Sequence, residues 1–356
     1  MNAVIVFSGS TSSPDNLDTI VQVEEVTAIL DRLGIVSQRL AFNESLGDLE
    51  RSLRALQPHF IFNLVETAGG TDRLLYVAAA CFEFLKIPYT GCPASALALL
   101  SSKLRQKELL RGAGLPTPDW TGNHPGHLMD GPLIVKSDSE HASVGLHDEN
   151  VVTSASSARQ ILAKKQETHG GEWFAEAYIE GREFNLSVLE GRHGQPQVLP
   201  PAEIRFHGFP GNQPKIVGYE AKWDTGSFEY QATTRHFDFP AEDGPLLDQL
   251  GELSLRCWHL LGLKGAARID FRVDRHGNPW ILEVNANPCL ASDAGFMAAA
   301  RQSGLTPIAV IGRLLPRIPL GHFPCQPDQD FWKGTLPVAG GAGPAGKRTV
   351  PLRACH

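Results

Sequence analysis

The sequence predicts an α/β protein that begins with an open parallel sheet and continues into an α+β region built around an antiparallel hairpin. Three observations carry this reading. Strand and helix signals alternate through the first hundred residues, the rhythm of a doubly wound sheet. A Gly/Pro cluster, Gly112-Ala113-Gly114-Leu115-Pro116, then marks a boundary. Finally, KGAARIDFRVDRHGNPWILEVNANPC (264–289) sets two alternating apolar runs around the turn-forming Arg275-His276-Gly277-Asn278.

In chain order, VIVFSG (4–9) is a buried strand followed by a Ser/Gly-rich loop. Residues 18–33 place Ile20, Val23, Val26, Leu30 and Leu33 near helical spacing, with Gly34 as a C-cap. A strand near 35–41, a helix at 46–56, the strand HFIFNLV (59–65), a helix over 72–85 and a short strand around Pro88 complete the alternation. One helix is predicted over 94–112. Beyond it lie the strand PLIVKS (132–137), a helix near 154–165 and the strands WFAEAYI (173–179) and EFNLSVL (183–189). The Pro-, Gly- and His-rich section 190–240 reads as irregular. A helix over 245–261 precedes the hairpin, and helices at 292–303 and 306–315 follow it. Beyond Pro319 the apolar periodicity stops, so 319–356 is expected to be a poorly ordered tail.

Composition narrows the function classes. At 356 residues, with 42% hydrophobic and 20% charged residues, the chain suits two or three soluble domains. A formal charge of -7 gives no basic footprint for nucleic acid. No apolar run is long enough for a membrane span, and the N-terminus lacks the basic start of a signal peptide. The six cysteines are scattered without metal-site spacing, which suggests reduced thiols and a cytoplasmic location.

The hairpin supplies the first chemical candidates. If Asp274 pairs with Pro279, counting places Val273 opposite Trp280, Asp270 opposite Glu283 and Arg268 opposite Asn285. Ile269, Phe271, Val273, Trp280, Leu282 and Val284 then share the apolar face. Opposed carboxylates about 5 Å apart repel by roughly 3 kcal/mol at an effective dielectric near 20. A divalent cation between them would reverse that sign, Mg²⁺ being a hard ion that takes oxygen ligands. Alternatively, Arg268 and Arg272 neutralise the acids on a solvated face. Lys136, at the end of a buried strand beside a small-residue loop, could meet a phosphate or merely reach water. Lys103 is open to the same two readings. Glu176, in mid-strand among Phe174, Ala175, Ala177 and Tyr178, is awkward for an unpaired acid.

Taken together, Lys103, Lys136, the 139–145 loop, EAYI (176–179), Glu183, YEAK (219–222), ARID (267–270) and LEVNANP (282–288) resemble the ATP-grasp superfamily, and within it D-alanine–D-alanine ligase. IPYTG (87–91) and SALALLSSKLRQKELLRGAGLPT (95–117) extend the likeness over roughly 1–318. The resemblance implies an N-terminal α/β (pre-ATP-grasp) substrate domain, 1–98, a small ATP-grasp subdomain, 99–183, and a C-terminal subdomain with the hairpin, 184–318. It implies that Lys103, Lys136 and Lys222 hold phosphates, with Ser143, Val144 and Gly145 of the loop around them. Glu176, Ala177, Tyr178 and Ile179 would bind adenine and Glu183 the ribose. Asp270, Glu283 and Asn285 would bind two Mg²⁺ ions, with Mn²⁺ able to substitute. Arg268 would steady the developing oxyanion, acting with Lys222 in catalysis. The reaction expected is ADP-forming: ATP phosphorylates a carboxylate, and an amine then displaces phosphate from the acyl phosphate. Small-molecule carboxylate and amine substrates, and a homodimer, are likewise implied.

Departures from the family pattern fall on the amino-acid side. The first loop reads SGSTSSPDN, without the acid the ligases carry after a Gly-Gly pair. The strand that ends in His-Gly in the ligases ends here in Asn63-Leu64-Val65-Glu66. Ala142 replaces a serine, Trp223 a tyrosine and Cys289 a glycine, and the run that grips the second carboxylate reads Ala291-Ser292-Asp293-Ala294. Glu66, Trp223, Cys289, Ser292 and Asp293 are therefore candidate substrate residues. Asp293 would favour an ammonium over a carboxylate, and Glu66 could replace the missing acid. The expectation is a carboxylate–amine ligase with an altered substrate pocket. The alternatives are an authentic D-alanine–D-alanine ligase and a non-catalytic ATP-binding regulator.

Overall fold

The computed structural model describes residues 1–9, 14–69, 71–121, 131–140, 143–191, 193–317 and 350–351. The first sheet is parallel, in the order β2-β1-β3, formed by β1 (Asn2–Ser8), β2 (Val36–Phe42) and β3 (Phe60–Leu64). Strand β1 is buried on both faces, which explains its unbroken apolar run. Ala3 and Ile5 pack with Val23, Val26 and Leu30 of helix α1 (Pro14–Arg32). Val4 and Val6 pack with Leu49 and Leu53 of α2 (Leu46–Leu56) and with residues of α3 (Tyr76–Phe84) and α4 (Ala94–Leu100). The strand expected around Pro88 is a single parallel bridge between Ile61 and Tyr89, since proline has no N–H for a ladder.

The helix predicted over 94–112 is two helices. After α4 ends at Leu100, α5 (Lys103–Gly112) starts afresh, because the Ser102 hydroxyl accepts from the Arg105 N–H at 3.2 Å and caps it. This places Lys103 on the first turn, where its N–H donates to the Asp138 carbonyl at 2.9 Å.

A second, antiparallel sheet runs β5-β4-β6, from β4 (Leu133–Ser137), β5 (Val151–Val152) and β6 (Trp173–Ala177). Leu133, Val135 and Ala175 bury against Ala158, Ile161 and Leu162 of α6 (Ala155–His169). The alternate residues Ile134, Lys136 and Glu176 therefore face the other way, into a cleft.

The cleft's other wall is a seven-stranded sheet of β7 (Gly181–Glu190), β8 (Pro196–Val198), β9 (Ala202–Phe206), β10 (Thr233–His236), β11 (Ala266–Asp274), β12 (Pro279–Asn285) and β13 (Val350–Pro351). Its order is β12-β11-β7-β9-β10-β13, with β8 also paired to β7. The section 190–240, expected to be irregular, thus supplies three short strands and the helices α7 (Tyr219–Trp223) and α8 (Phe228–Ala232). Pairing of β8 and β9 with β7, and of β10 with β9, overrides the weak local signal of these Pro- and Gly-interrupted segments. Strand β7 begins at Gly181, so the boundary expected between 183 and 184 cuts through it; the chain changes sheets between Ala177 and Gly181. Gly181 has φ +153°, and a Cβ there would lie 2.0 Å from the Val273 carbonyl oxygen, so only glycine fits. Of the tail predicted from 319, only Val350-Pro351 lie within the described residues, where they pair with Thr234 and Arg235.

Helix α9 (Gly244–Leu260) packs Leu250, Leu253 and Cys257 into one core with Phe184, Ile269, Phe271 and Ile281. Helices α10 (Gly295–Gln302) and α11 (Pro307–Leu314) share another with α1. The hairpin register is as counted at its functional end: Arg268 opposes Asn285 and Asp270 opposes Glu283. Beyond that pair a β-bulge absorbs Leu282, so Val273 opposes Pro279 rather than Trp280. The expected apolar face changes accordingly: Ile281 is fully buried in the core, while Leu282 turns to line the cleft. No helix among the described residues is long and apolar enough to cross a membrane. Since Phe271 anchors this hairpin core, Phe271→Ala should cost about 3–5 kcal/mol in urea unfolding; a loss below ~1 kcal/mol would contradict the packing.

Candidate active site

Period-two alternation assembles the site. On the cleft side, β7 presents Glu183 and Asn185, β11 presents Arg268, Asp270 and Arg272, and β12 presents Glu283. Cross-strand partners bond directly. Arg272 meets Glu183 at 2.7 Å, and the Asn185 amide donates to Asp270 Oδ1 at 2.7 Å. Arg268 donates to both Asp270 oxygens, at 2.8 and 2.9 Å. Lys103 Nζ lies 3.7 Å from Glu283 and donates to the Glu140 carbonyl at 2.5 Å. The neutralisation by arginine read as an alternative therefore exists, but it divides: Arg268 serves Asp270, and Arg272 serves Glu183 rather than a hairpin acid.

On the small sheet, Glu176 is 1% exposed and lies between two ammonium groups, Lys107 and Lys136, each at 2.6 Å. These are ion contacts off the favoured hydrogen-bond directions. Burial pushes the Glu176 carboxyl up, but the two lysines more than offset it and hold it below the ordinary range. Burial pulls Lys107 down, beyond what Glu176 restores; for Lys136, burial is outweighed by Glu176, and the group is held above its ordinary value. Lys107 went unread in the sequence, although it stands one helical turn after Lys103. Glu140, Asn185 and Arg235 are further cleft residues without an individual sequence signal for this site.

The loop residues divide. Ser143 and Val144 line the cleft, but the Ser143 hydroxyl donates to the Val217 carbonyl at 3.0 Å, tying the loop to the segment that carries YEAK. The Tyr219 N–H donates to the Leu146 carbonyl at 2.8 Å, and His147 Nδ1 lies 2.6 Å from Glu220. Gly145, expected at the nucleotide, is absent from the cleft lining. It has φ +69°, its carbonyl accepts from Lys165 at 2.7 Å, and a Cβ would meet the Trp173 ring at 2.9 Å; it shapes the turn. Ala177, Tyr178 and Ile179 line the cleft, yet the Ala177 and Tyr178 N–H groups already donate to the Asp119 and Pro132 carbonyls at 2.8 and 2.9 Å. Lys222 lines the cleft too, and burial beside Arg268 lowers its pKa to about 8.

A second cavity shares no lining residue with the first, though the consecutive β12 residues Glu283 and Val284 line one and the other. Glu66, Asp72, Leu75, Leu97 and Asn285 are among its walls, so Asn285 faces it rather than the main cleft lining. Glu66 accepts from Thr19 at 3.1 Å and from Gln22 at 2.9 Å, and Gln22 in turn accepts from the Leu290 N–H at 2.9 Å. Four candidates line neither space. Trp223 sits at the end of α7, and Cys289 is 1% exposed among Ala291 and Ala294. Ser292 is exposed and donates through its N–H and hydroxyl to Glu25 at 2.7 and 2.6 Å, while Asp293 is half-buried. Ala142 lies outside the described residues.

The donor set fits a divalent cation. Asp270 and Glu283 are directly opposed hard oxygen ligands, with the Asn285 amide on the same strand. Among the described residues no three His, Cys, Asp or Glu side chains form a closed metal cluster, so further ligands would come from substrate and water. Charge balance agrees. Six basic side chains line the cleft against five acids, too small an excess for a polyphosphate without added cations.

A family model for the D-ala D-ala ligase C-terminus matches residues 112–316. A D-alanine–D-alanine ligase of Synechococcus sp. (strain JA-3-3Ab) is 30% identical over 324 residues, covering 88% of this chain and 93% of that protein. Another, of Synechococcus sp. (strain JA-2-3B'a(2-13)), is 32% identical over 266 residues, 72% of this chain and 74% of the relative. In structure, the chain superposes on the D-alanine–D-alanine ligase of Bacillus anthracis complexed with ATP with a TM-score of 0.67, at 23% identity, over 88% of this chain and 95% of that one. The two facing sheets and the shared motifs define an ATP-grasp carbon–nitrogen ligase. Within that class, the chain belongs to the D-alanine–D-alanine ligase family.

The buried Lys107–Glu176–Lys136 cluster makes a test of its own. Glu176→Gln leaves two buried ammonium groups without their carboxylate and should cost about 3–5 kcal/mol in chemical unfolding. Because the folded carboxyl lies below its ordinary range, its stabilisation should persist at neutral pH and be lost as pH falls through that lowered value. An unchanged unfolding midpoint would contradict the cluster's role.

Proposed function

We propose that the protein is an ADP-forming carboxylate–amine ligase that joins amino acids or related small molecules through an acyl phosphate, with a substrate pocket altered from that of its D-alanine-specific relatives. The observation that carries it is the polar face of Arg268, Asp270 and Glu283 set across one cleft from Lys103 and Lys136. In this reading ATP lies between the two sheets. Ile134, Val144, Ile216 and Leu282 give its base an apolar slot, and the backbone near Ile179 offers the polar edge. Glu183 reaches the ribose only by sharing itself with Arg272. Lys103, Lys136 and Lys222 neutralise phosphate oxygens, and Arg268 holds the oxyanion that develops as the amine attacks. Asp270, Glu283 and Asn285 would hold two Mg²⁺ ions, which supply charge neutralisation to the transferring phosphoryl group.

The altered pocket rests on Glu66. Its carboxylate borders the cavity that also contains Asn285 and is oriented by Thr19 and Gln22, as an anchor for a donor ammonium would need to be. The second reading, an authentic D-alanine–D-alanine ligase, is favoured by the names of relatives that match most of the chain. A phosphate-release screen over D- and L-amino acids and simple amines separates the two. Our reading expects ADP and phosphate with a pair other than two D-alanines. Exclusive use of D-alanine would establish the second reading, and AMP with pyrophosphate would overturn both.

Asp270→Asn and Glu283→Gln should each lower kcat by about 10²-fold or more with circular dichroism unchanged; wild-type turnover in both variants would remove the metal assignment. Lys222 is cationic below about pH 8 and neutral above it. The KM for ATP should therefore rise as pH passes upward through that value, and Lys222→Met should flatten the profile. A wild-type pH limb in that variant would assign the titration elsewhere.

A further inference from the structure

We propose that His207 and His236 form a binding site for a zinc-class transition-metal cation, separate from the hairpin carboxylates and on the opposite face of the large sheet. His207 directly follows β9, and its N–H donates to the Ala232 carbonyl at 2.8 Å. In the β9–β10 pairing Thr234 opposes Arg205 and His236 opposes Glu203. Arg235, between them on β10, lines the cleft, so alternation turns Thr234 and His236 to the other face. There Nε2 of His207 lies 2.7 Å, and Nε2 of His236 2.8 Å, from the same Thr234 hydroxyl oxygen. The ring centroids are 5.7 Å apart, and both rings aim the same nitrogen at one point.

Convergent imidazole nitrogens suit zinc, copper and nickel, whereas Mg²⁺ prefers oxygen. An oxygen of Asp238 lies 3.4 Å from His236 Nδ1 and favours keeping that ring's proton there, which leaves Nε2 bare. A carboxylate behind the ring is how metal-binding histidines are commonly oriented. Burial, and then Arg205, pull the His236 pKa below its ordinary value, so the ring is neutral at neutral pH. His207 needs only to carry its proton on Nδ1 to offer a second bare Nε2. Arg205 is the opposing charge, and it is engaged by the Glu203 carboxylate and the Asp238 carbonyl, each at 2.8 Å. His207 and Asp238 are exposed, so ion and water reach the site. With two histidine ligands the site is open, and water completes the coordination. Its place in the chain matters: residues 208–235, between the two histidines, include α7 with Lys222. A cation shared by His207 and His236 would pin the stem of that excursion.

The test titrates the full-length protein with Zn²⁺ in excess Mg²⁺ and without nucleotide, followed by calorimetry and by thermal unfolding. Wild type should take up Zn²⁺ saturably and unfold at a higher temperature once loaded. His207→Gln and His236→Gln should each weaken that uptake about tenfold or more and lose the rise in Tm. His276→Gln, in the exposed hairpin turn, is the control and should keep both. With Cu²⁺ as a second probe, electron paramagnetic resonance should show coupling to two imidazole nitrogens in wild type and to one in either site variant. His207 is exposed and tolerates replacement, so its variant decides the matter if His236→Gln does not fold. No saturable Zn²⁺ uptake by wild type, or uptake unchanged in the folded site variants, would overturn the proposal. Binding is read without ATP or substrate, so the result is independent of the ligase reading.

Discussion

Asp270 and Glu283 face one another across β11 and β12, and the surrounding cleft is arranged around the repulsion between them. Holding two carboxylates opposed costs free energy unless positive charge sits nearby. Here it comes from Arg268, which engages both oxygens of Asp270, and from Lys103 across the cleft near Glu283. Asn185 fixes Asp270 from the neighbouring strand. The bulge at Leu282 matters as much as the charges. It lets Glu283 stay on the polar face while Ile281 enters the core and Leu282 turns to the cleft wall. One irregular residue thus separates the part of β12 that stabilises the sheet from the part that serves the site.

The walls of the cleft are held by contacts that join distant stretches of chain. Lys107 and Lys136, one on a helix and one on a strand, share the buried Glu176 of β6. Ser143, Leu146 and His147 hold the 217–220 segment against their own loop. Gln22 ties α1 to both Glu66 and the backbone after the hairpin. These links tie the N-terminal helix to the chain after the hairpin and the loop after the small sheet to the 217–220 segment.

Much of this was legible in the sequence, and the remainder was not for identifiable reasons. The register at Asp270 and Glu283 followed from counting, since alternation is strict from Arg268 to Asp270. The bulge did not, because Trp280, Ile281 and Leu282 are consecutive apolar residues and no alternation distinguishes which one turns outward. The break between α4 and α5 was written in Ser101-Ser102 but hidden by the apolar periodicity on both sides. Strands β8, β9 and β10 are short and owe their conformation to pairing with β7 and with one another rather than to local propensity. Lys107 and Arg235 escaped notice because burial of a cation depends on partners that sequence spacing cannot reveal: Glu176 for the first, and the approach of Gly295 for the second.

In the proposed function the opposed hairpin carboxylates, Asp270 and Glu283, hold divalent cation together with the nucleotide. Mn²⁺ binding, followed by electron paramagnetic resonance in the presence of a non-hydrolysable ATP analogue, tests it most directly. Wild type should take up Mn²⁺ in a nucleotide-dependent manner, and the double variant Asp270→Asn/Glu283→Gln should lose that uptake while remaining folded. Equal nucleotide-dependent Mn²⁺ binding by wild type and the folded double variant would contradict the account.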